Sequence, residues 1–174
     1  MRLSGWRMVG ELPNLSKAVV IVVPHTSNWD FAIGVAGMYA VGVRFSFFAK
    51  DSLFRGVLGP VMTWLGGIPI DRSSSKGVVD QVAARMRSAD QMLLVISPEG
   101  TRSRVEQWKT GFYHIAAKAD VPIVPVAFDW SRRVIVFGEP MMPTGDKEAD
   151  LEALRRFFDG AQGKRIEGMA RRDA

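Results

Sequence analysis

Apolar residues in this chain alternate between short solid runs and longer stretches with helical spacing. Residues 18–23, Ala-Val-Val-Ile-Val-Val, form a β-branched run closed by Pro24, which predicts a buried strand. Residues 31–43 are apolar and long enough for a helix, and 44–49 alternate enough for a second strand. The segment 56–70 carries no charge, but two prolines and four glycines predict a loop followed by a short strand rather than a helix. Val78, Val79, Val82 and Met86 recur at helical spacing and predict an amphipathic helix over 77–89. A buried strand is expected at 92–97, a helix at 111–119, and strands at 123–128 and 134–137. Leu151, Leu154 and Phe158 mark a last helix, with Asp146, Glu148 and Asp150 near its start, where the helix dipole favours them. Strands alternating with helices indicate a single α/β domain with a largely parallel central sheet flanked by helices. The domain is expected over 18–160. Residues 1–17 precede it as a mixed arm able to lie on a lipid surface or to pack irregularly, and 161–174 follow as a basic tail that frays.

At 174 residues the chain is long enough for one well-buried core. The absence of cysteine excludes disulfides, thiolate metal sites and a cysteine nucleophile. A formal charge of +5 favours an anionic partner: a phosphorylated metabolite, an acidic lipid surface or a nucleic acid. No secretory signal is visible, and no apolar run is long enough to span a bilayer, so membrane contact is expected to be peripheral.

Chemistry concentrates where strands are expected to end. His25 lies on the turn between the first strand and the first helix, the position where open α/β sheets bind ligands. An imidazole there can accept a hydroxyl proton near neutral pH, and Asp30, five residues on, can fix its tautomer. The same letters also read as a capping box, with Ser27 capping and Asp30 at the third helical position. The two roles are compatible, because a cap holds a dyad still. If the strands are parallel neighbours, Asp71-Arg72 and the Pro98-Glu99-Gly100-Thr101-Arg102 turn gather at the same edge, with Lys50 nearby. Arginine forks there suit a phosphate, and Gly100 permits close backbone approach or a positive φ. Taken singly, each has a plainer reading: a surface ion pair at Asp71-Arg72, an ordinary turn at Glu99-Gly100, a surface lysine at Lys50. His114, inside the 111–119 helix, reads as structural.

Together these blocks resemble the glycerol-phosphate and lysophosphatidic acid acyltransferase family. The likeness rests on four ordered stretches: Pro24-His25-Thr26-Ser27-Asn28-Trp29-Asp30, Gly66-Gly67-Ile68-Pro69-Ile70-Asp71-Arg72, Ser97-Pro98-Glu99-Gly100-Thr101-Arg102-Ser103 and Val121-Pro122-Ile123-Val124-Pro125-Val126. The lysine-bearing segment between the first two is matched by Ala49-Lys50-Asp51-Ser52-Leu53-Phe54. Pro24 stands where the family has asparagine, and Pro69 and Ser97 replace bulkier residues. The resemblance implies an acyltransferase-like fold and an O-acyltransferase of phospholipid biosynthesis. His25 would be the general base and Asp30 its orienting partner. Lys50, Arg72 and Arg102 would bind the acceptor phosphate, with Glu99, Gly100 and Thr101 shaping that site. Gly67 would allow close backbone approach, and Pro122 would help form the acyl or donor region. The hydroxyl of an acceptor such as 1-acylglycerol-3-phosphate would attack an acyl thioester, carried by CoA or an acyl-carrier protein, without a metal or other cofactor. Relatives anchored by a hydrophobic two-helix segment have more chain before the histidine, so docking on an anionic membrane from the cytoplasmic side is expected.

Three rival readings remain. A metal hydrolase using His25, Asp30 and Glu99 suffers from histidine poverty, since the chain has only two. A nucleic-acid-binding module is disfavoured by the scatter of basic residues, and no nucleic acid is expected. A lipid-binding relative without turnover would keep the fold but has no use for an intact His-Asp pair.

Overall fold

The computed structural model describes residues 5–70, 75–100 and 107–164. Its frame is a seven-stranded sheet in the order β1-β7-β6-β2-β5-β3-β4. The strands are β1 (Arg7–Val9), β2 (Lys17–Val23), β3 (Phe45–Lys50), β4 (Gly67–Ile70), β5 (Met92–Ile96), β6 (Ile123–Asp129) and β7 (Val134–Phe137). β2 to β6 run parallel, while β7 pairs antiparallel with β6 and carries β1 alongside it as the edge. The solid apolar runs follow from this placement, because a parallel strand covered on both faces has no polar side to show. In β2, Val19, Ile21 and Val23 enter one core layer, and Ala18 and Val20 enter the other.

Helices fill both layers. α3 (Ser75–Ser88), α4 (Gly111–Ala119) and α5 (Lys147–Phe157) supply Val82, Met86, Phe112, Ile115 and Leu154 to the first core. α1 (Asn28–Val41) covers the second, with Ile33 packed against it and Gly34 and Gly37 lying over Phe128 and Ile135. The chain therefore leaves β2 over one face toward β3, and leaves β5 over the other face toward β6. Between β2 and β5 the connections diverge, which opens a crevice at the strands' carboxyl ends.

Three elements differ from the sequence expectation. α2 (Leu58–Trp64) is a helix in the stretch expected to be loop. Pro60 sits in its first turn, where a backbone N–H would have no intrahelical partner, so the proline costs little. The arm ahead of β2 is not irregular throughout: 7–9 join the sheet, and Trp6 is buried against Phe128 and Trp130. Trp6 is thus core rather than a lipid contact. At the other end, residues 160–164 pack back on the body instead of fraying, and 165–174 lie outside the described residues. Among the described residues no helix is long and apolar enough to cross a membrane.

α5 is capped by Asp146, which accepts the Ala149 N–H, and anchored by Asp150. Buried Asp150 accepts from Tyr113 Oη at 2.8 Å and from the Thr144 N–H and hydroxyl at 2.8 and 2.9 Å. Burial alone would push its pKa up, but these donors outweigh burial and hold it below the ordinary carboxylate value. Asp150→Ala should lower stability by about 3 kcal/mol, because three donors lose a charged acceptor. Urea unfolding followed by tryptophan fluorescence measures this. A depressed folded pKa stabilises above the unfolded value and is lost as pH falls through the folded one, so the deficit should shrink below about pH 4.

Candidate active site

β2 ends at Val23 and the chain turns through Pro24, His25 and Thr26 into α1. Ser27 begins the helix, its Oγ accepting the Trp29 N–H at 3.2 Å. Asp30 reaches back so that its Oδ2 accepts the N–H groups of Thr26 and Ser27 at 2.8 and 2.7 Å. The capping box is therefore formed from the carboxylate side, and the same oxygen lies 3.5 Å from His25 Nδ1. The Asp30 side chain is 1% exposed and that of His25 27%. One carboxylate thus holds the turn and faces the imidazole, so the cap and the close approach of Asp30 to His25 occur together.

β5 delivers the second wall. Ser97, Pro98, Glu99 and Gly100 form a turn closed by the Gly100 N–H on the Ser97 carbonyl at 3.2 Å. Glu99 Oε2 accepts the His25 backbone N–H at 2.6 Å, which ties this turn to the histidine turn. Gly100 has φ +62°, and a Cβ there would meet Lys109 Cδ, Cε and Nζ at 2.8–2.9 Å. The positive φ strains any side chain there, and Lys109 would have to swing aside to make room for one. The Lys109 N–H is held by the Pro98 carbonyl at 2.8 Å, so its ammonium stands against the turn. Lys109 was not legible beforehand, since a lone lysine before a helix carries no spacing signal.

The parallel topology also brings the carboxyl ends of β3 and β4 to this edge, and with them the backbone of Lys50 and the chain leading to 71. Asp71, Arg72, Thr101 and Arg102 lie outside the described residues. Gly67 makes a close approach to its own chain: a Cβ would lie 2.7 Å from the Met62 carbonyl oxygen and 2.9 Å from the Phe54 ring. Pro122 is not brought to the histidine. It precedes β6 at the opposite edge of the sheet, where its carbonyl accepts the Val19 N–H. That is roughly 20 Å from His25 along the strand direction. His114 is exposed on α4, and among the described residues no three potential ligand side chains converge to hold a metal ion.

A third donor to Asp30 has no counterpart in the local motif. Trp130 Nε1 donates to Oδ1 at 2.7 Å from 100 residues away. No sequence pattern links these positions; only the pairing of β6 beside β2 does.

A family described as Acyltransferase matches residues 7–129. The chain is 32% identical over 117 residues to a 1-acyl-sn-glycerol-3-phosphate acyltransferase of Limnanthes alba, covering 63% of this chain and 40% of that protein. It is 30% identical over 141 residues to the chloroplastic 1-acyl-sn-glycerol-3-phosphate acyltransferase BAT2 of Brassica napus, covering 78% and 38%. With the 1-acyl-sn-glycerol-3-phosphate acyltransferase of Haemophilus influenzae the identity is 30% over 134 residues, covering 71% and 54%. The chain thus spans between 38% and 54% of the length of these relatives. No solved structure matches it.

Burial pushes the Glu99 carboxyl above its ordinary value; bonds from the His25 N–H and Ser97 offset this only in part, and the nearby Asp30 adds to the rise. A raised folded value stabilises fully below the unfolded pKa and is lost as pH rises through the folded one. Glu99→Gln keeps an acceptor for the His25 N–H and sheds the buried charge. Its melting temperature should equal or exceed that of the wild type at about pH 7.5, with the advantage gone at about pH 4. Thermal melts across that range decide it, and a wild type that gains on the variant as pH rises contradicts the assignment.

Proposed function

The chain belongs to the acyltransferase family, and on that premise we propose that it moves a fatty acyl group from a thioester to the hydroxyl of a phosphate-bearing glycerolipid. One observation carries the reading: His25 stands at the carboxyl edge of the sheet with Nδ1 facing a buried carboxylate that the turn itself immobilises. A base fixed in this way needs no reorganisation when the proton moves. The names of the relatives support 1-acylglycerol-3-phosphate as acceptor, and CoA or an acyl-carrier protein as the thioester carrier follows from the family resemblance.

In the proposed reaction Nε2 of His25 takes the acceptor hydroxyl proton as the oxygen attacks the thioester carbonyl. Asp30 stabilises the imidazolium. The tetrahedral intermediate then collapses, the C–S bond breaks, and the proton passes from the imidazolium to the departing thiolate, leaving an ester and a free thiol. Lys50, Arg72 and Arg102 are assigned to the acceptor phosphate, and Lys109 joins them because its ammonium borders the Glu99-Gly100 turn. Gly100 borders the same site, and Glu99 and Thr101 are assigned to it from the family resemblance.

The acceptor is a membrane lipid, and an apolar surface suited to a bilayer adjoins the site. α1 carries no charge from 31 to 41, and Trp29, Phe31 and Tyr39 on it are exposed. Tyr39 lies 6.1 Å from Trp64 of α2, which with Leu53, Val57, Leu58 and Val61 continues the patch. Val57 is 92% and Trp64 64% exposed, far beyond what a solvated helix needs. We assign this face, rather than the arm bearing Trp6, to peripheral contact with an anionic leaflet, which the chain's net positive charge favours.

His25→Ala should lower turnover of 1-acylglycerol-3-phosphate by on the order of 10² to 10⁴ with the melting temperature little changed, measured with oleoyl-CoA as donor. Near-normal turnover in the folded variant removes the base from His25. Co-sedimentation with vesicles should rise with anionic lipid content, fall with salt and weaken in Trp64→Ser. Wild-type protein that ignores anionic vesicles at low salt refutes the docking face.

A further inference from the structure

The region matched by the family ends at residue 129, yet the next residue touches the dyad. We infer that Trp130, held by the strap of residues 162–164, is a positioning residue that locks the Asp30 carboxylate in the orientation His25 requires. The inference rests on His25 being the general base.

Carboxylate torsions are broad, so a group fixed through one oxygen can still swing about its last bond. The motif's own donors, the Thr26 and Ser27 N–H groups, bind only Oδ2, the oxygen facing His25. Trp130 supplies the missing point by donating Nε1–H to Oδ1 at 2.7 Å. With both ends held, the plane of the carboxylate is set.

The indole is in turn fixed from outside the matched span. Its backbone N–H donates to the Gln162 carbonyl at 2.9 Å. Its ring packs edge-on against Trp6 at 4.9 Å between centroids. Lys164 Nζ sits 4.8 Å from the Trp130 ring and 4.5 Å from that of Trp29, which flanks the histidine turn. Between them Gly163 lies so close to Thr26 that a Cβ would stand 2.5 Å from Cγ2 and 2.7 Å from Oγ1. The strap that follows α5 therefore touches the histidine turn twice, at Thr26 and Trp29, and holds Trp130 as well.

The test is steady-state kinetics with oleoyl-CoA and 1-oleoylglycerol-3-phosphate. Trp130→Phe keeps an aromatic ring facing Trp6 and Lys164 while removing the N–H donor along with the bulk of the indole's second ring. It should lower kcat by about tenfold or more while both KM values stay within about twofold, since the defect lies in orientation and not in binding. Gly163→Ala, which pushes the strap off Thr26, should lower kcat in the same way and supplies an independent arm if Trp130→Phe does not fold. In the double variant the losses should overlap rather than multiply, because both act through Asp30. Wild-type kcat in Trp130→Phe, a loss shared between kcat and KM, or fully multiplicative losses each overturn the proposal. His25→Ala in the same assay separates the premise: if it is active, the base has been misassigned. If it is inactive while Trp130→Phe is normal, only the positioning role falls.

Discussion

The Asp30 carboxylate is the constraint on which the rest of the site depends. A carboxylate with a side chain 1% exposed is tolerable in a fold only when its lone pairs are met by donors. Here they come from two directions, the two backbone N–H groups of the turn and the indole of Trp130, while His25 Nδ1 lies 3.5 Å from the Oδ2 that the turn holds. Each donor also gains a fixed position. The turn is held, α1 starts three residues earlier than the apolar pattern suggested, and the histidine is presented at the sheet edge. Stability and geometry are coupled at this residue, because the bonds that satisfy the buried group also fix the carboxylate that faces His25.

The sheet makes that arrangement possible. β2 lies between β5 and β6, so its carboxyl end has one neighbour delivering Glu99 and another delivering Trp130. Helices departing over opposite faces leave the crevice between β2 and β5 uncovered. The histidine is consequently flanked by two carboxylates, with Asp30 set against its ring and Glu99 binding its backbone. The ammonium of Lys109 borders the Glu99-Gly100 turn.

The two sides of the molecule are finished differently. α3, α4 and α5 bury their apolar stripes against the first core and turn charge outward, with surface pairs such as Lys118–Asp80 and Arg156–Glu152. α1 and α2 keep large apolar residues exposed beside the site. α1, uncharged after Asp30, is covered by the core on one side and leaves Phe31 and Tyr39 exposed on the other.

Much of the fold was legible in the sequence for a local reason. Solid β-branched runs at 18–23 and 123–128 occur because both faces of a central parallel strand are covered, and the spacing of Val78, Val82 and Met86 follows from one buried helical stripe. The His25 turn was legible because the capping residues and the histidine fall within six consecutive residues, 25–30, and the ordered blocks pointed to the family. Other features depended on the tertiary structure. Composition argued against α2, which forms because Pro60 falls in a first turn that needs no donor there. The β1 edge strand exists only because β7 offers a partner, and that pairing turns Trp6 into core. Pro122 and Gly67 matched family blocks, yet topology sends the one to the far edge and packs the other against its own helix. Lys109 and Trp130 had no local signal at all: the first is placed by a bond to the Pro98 carbonyl, the second by the seating of β6 against β2. Short-range periodicity records how one element buries its own face, whereas contacts between distant segments are fixed only when the sheet closes.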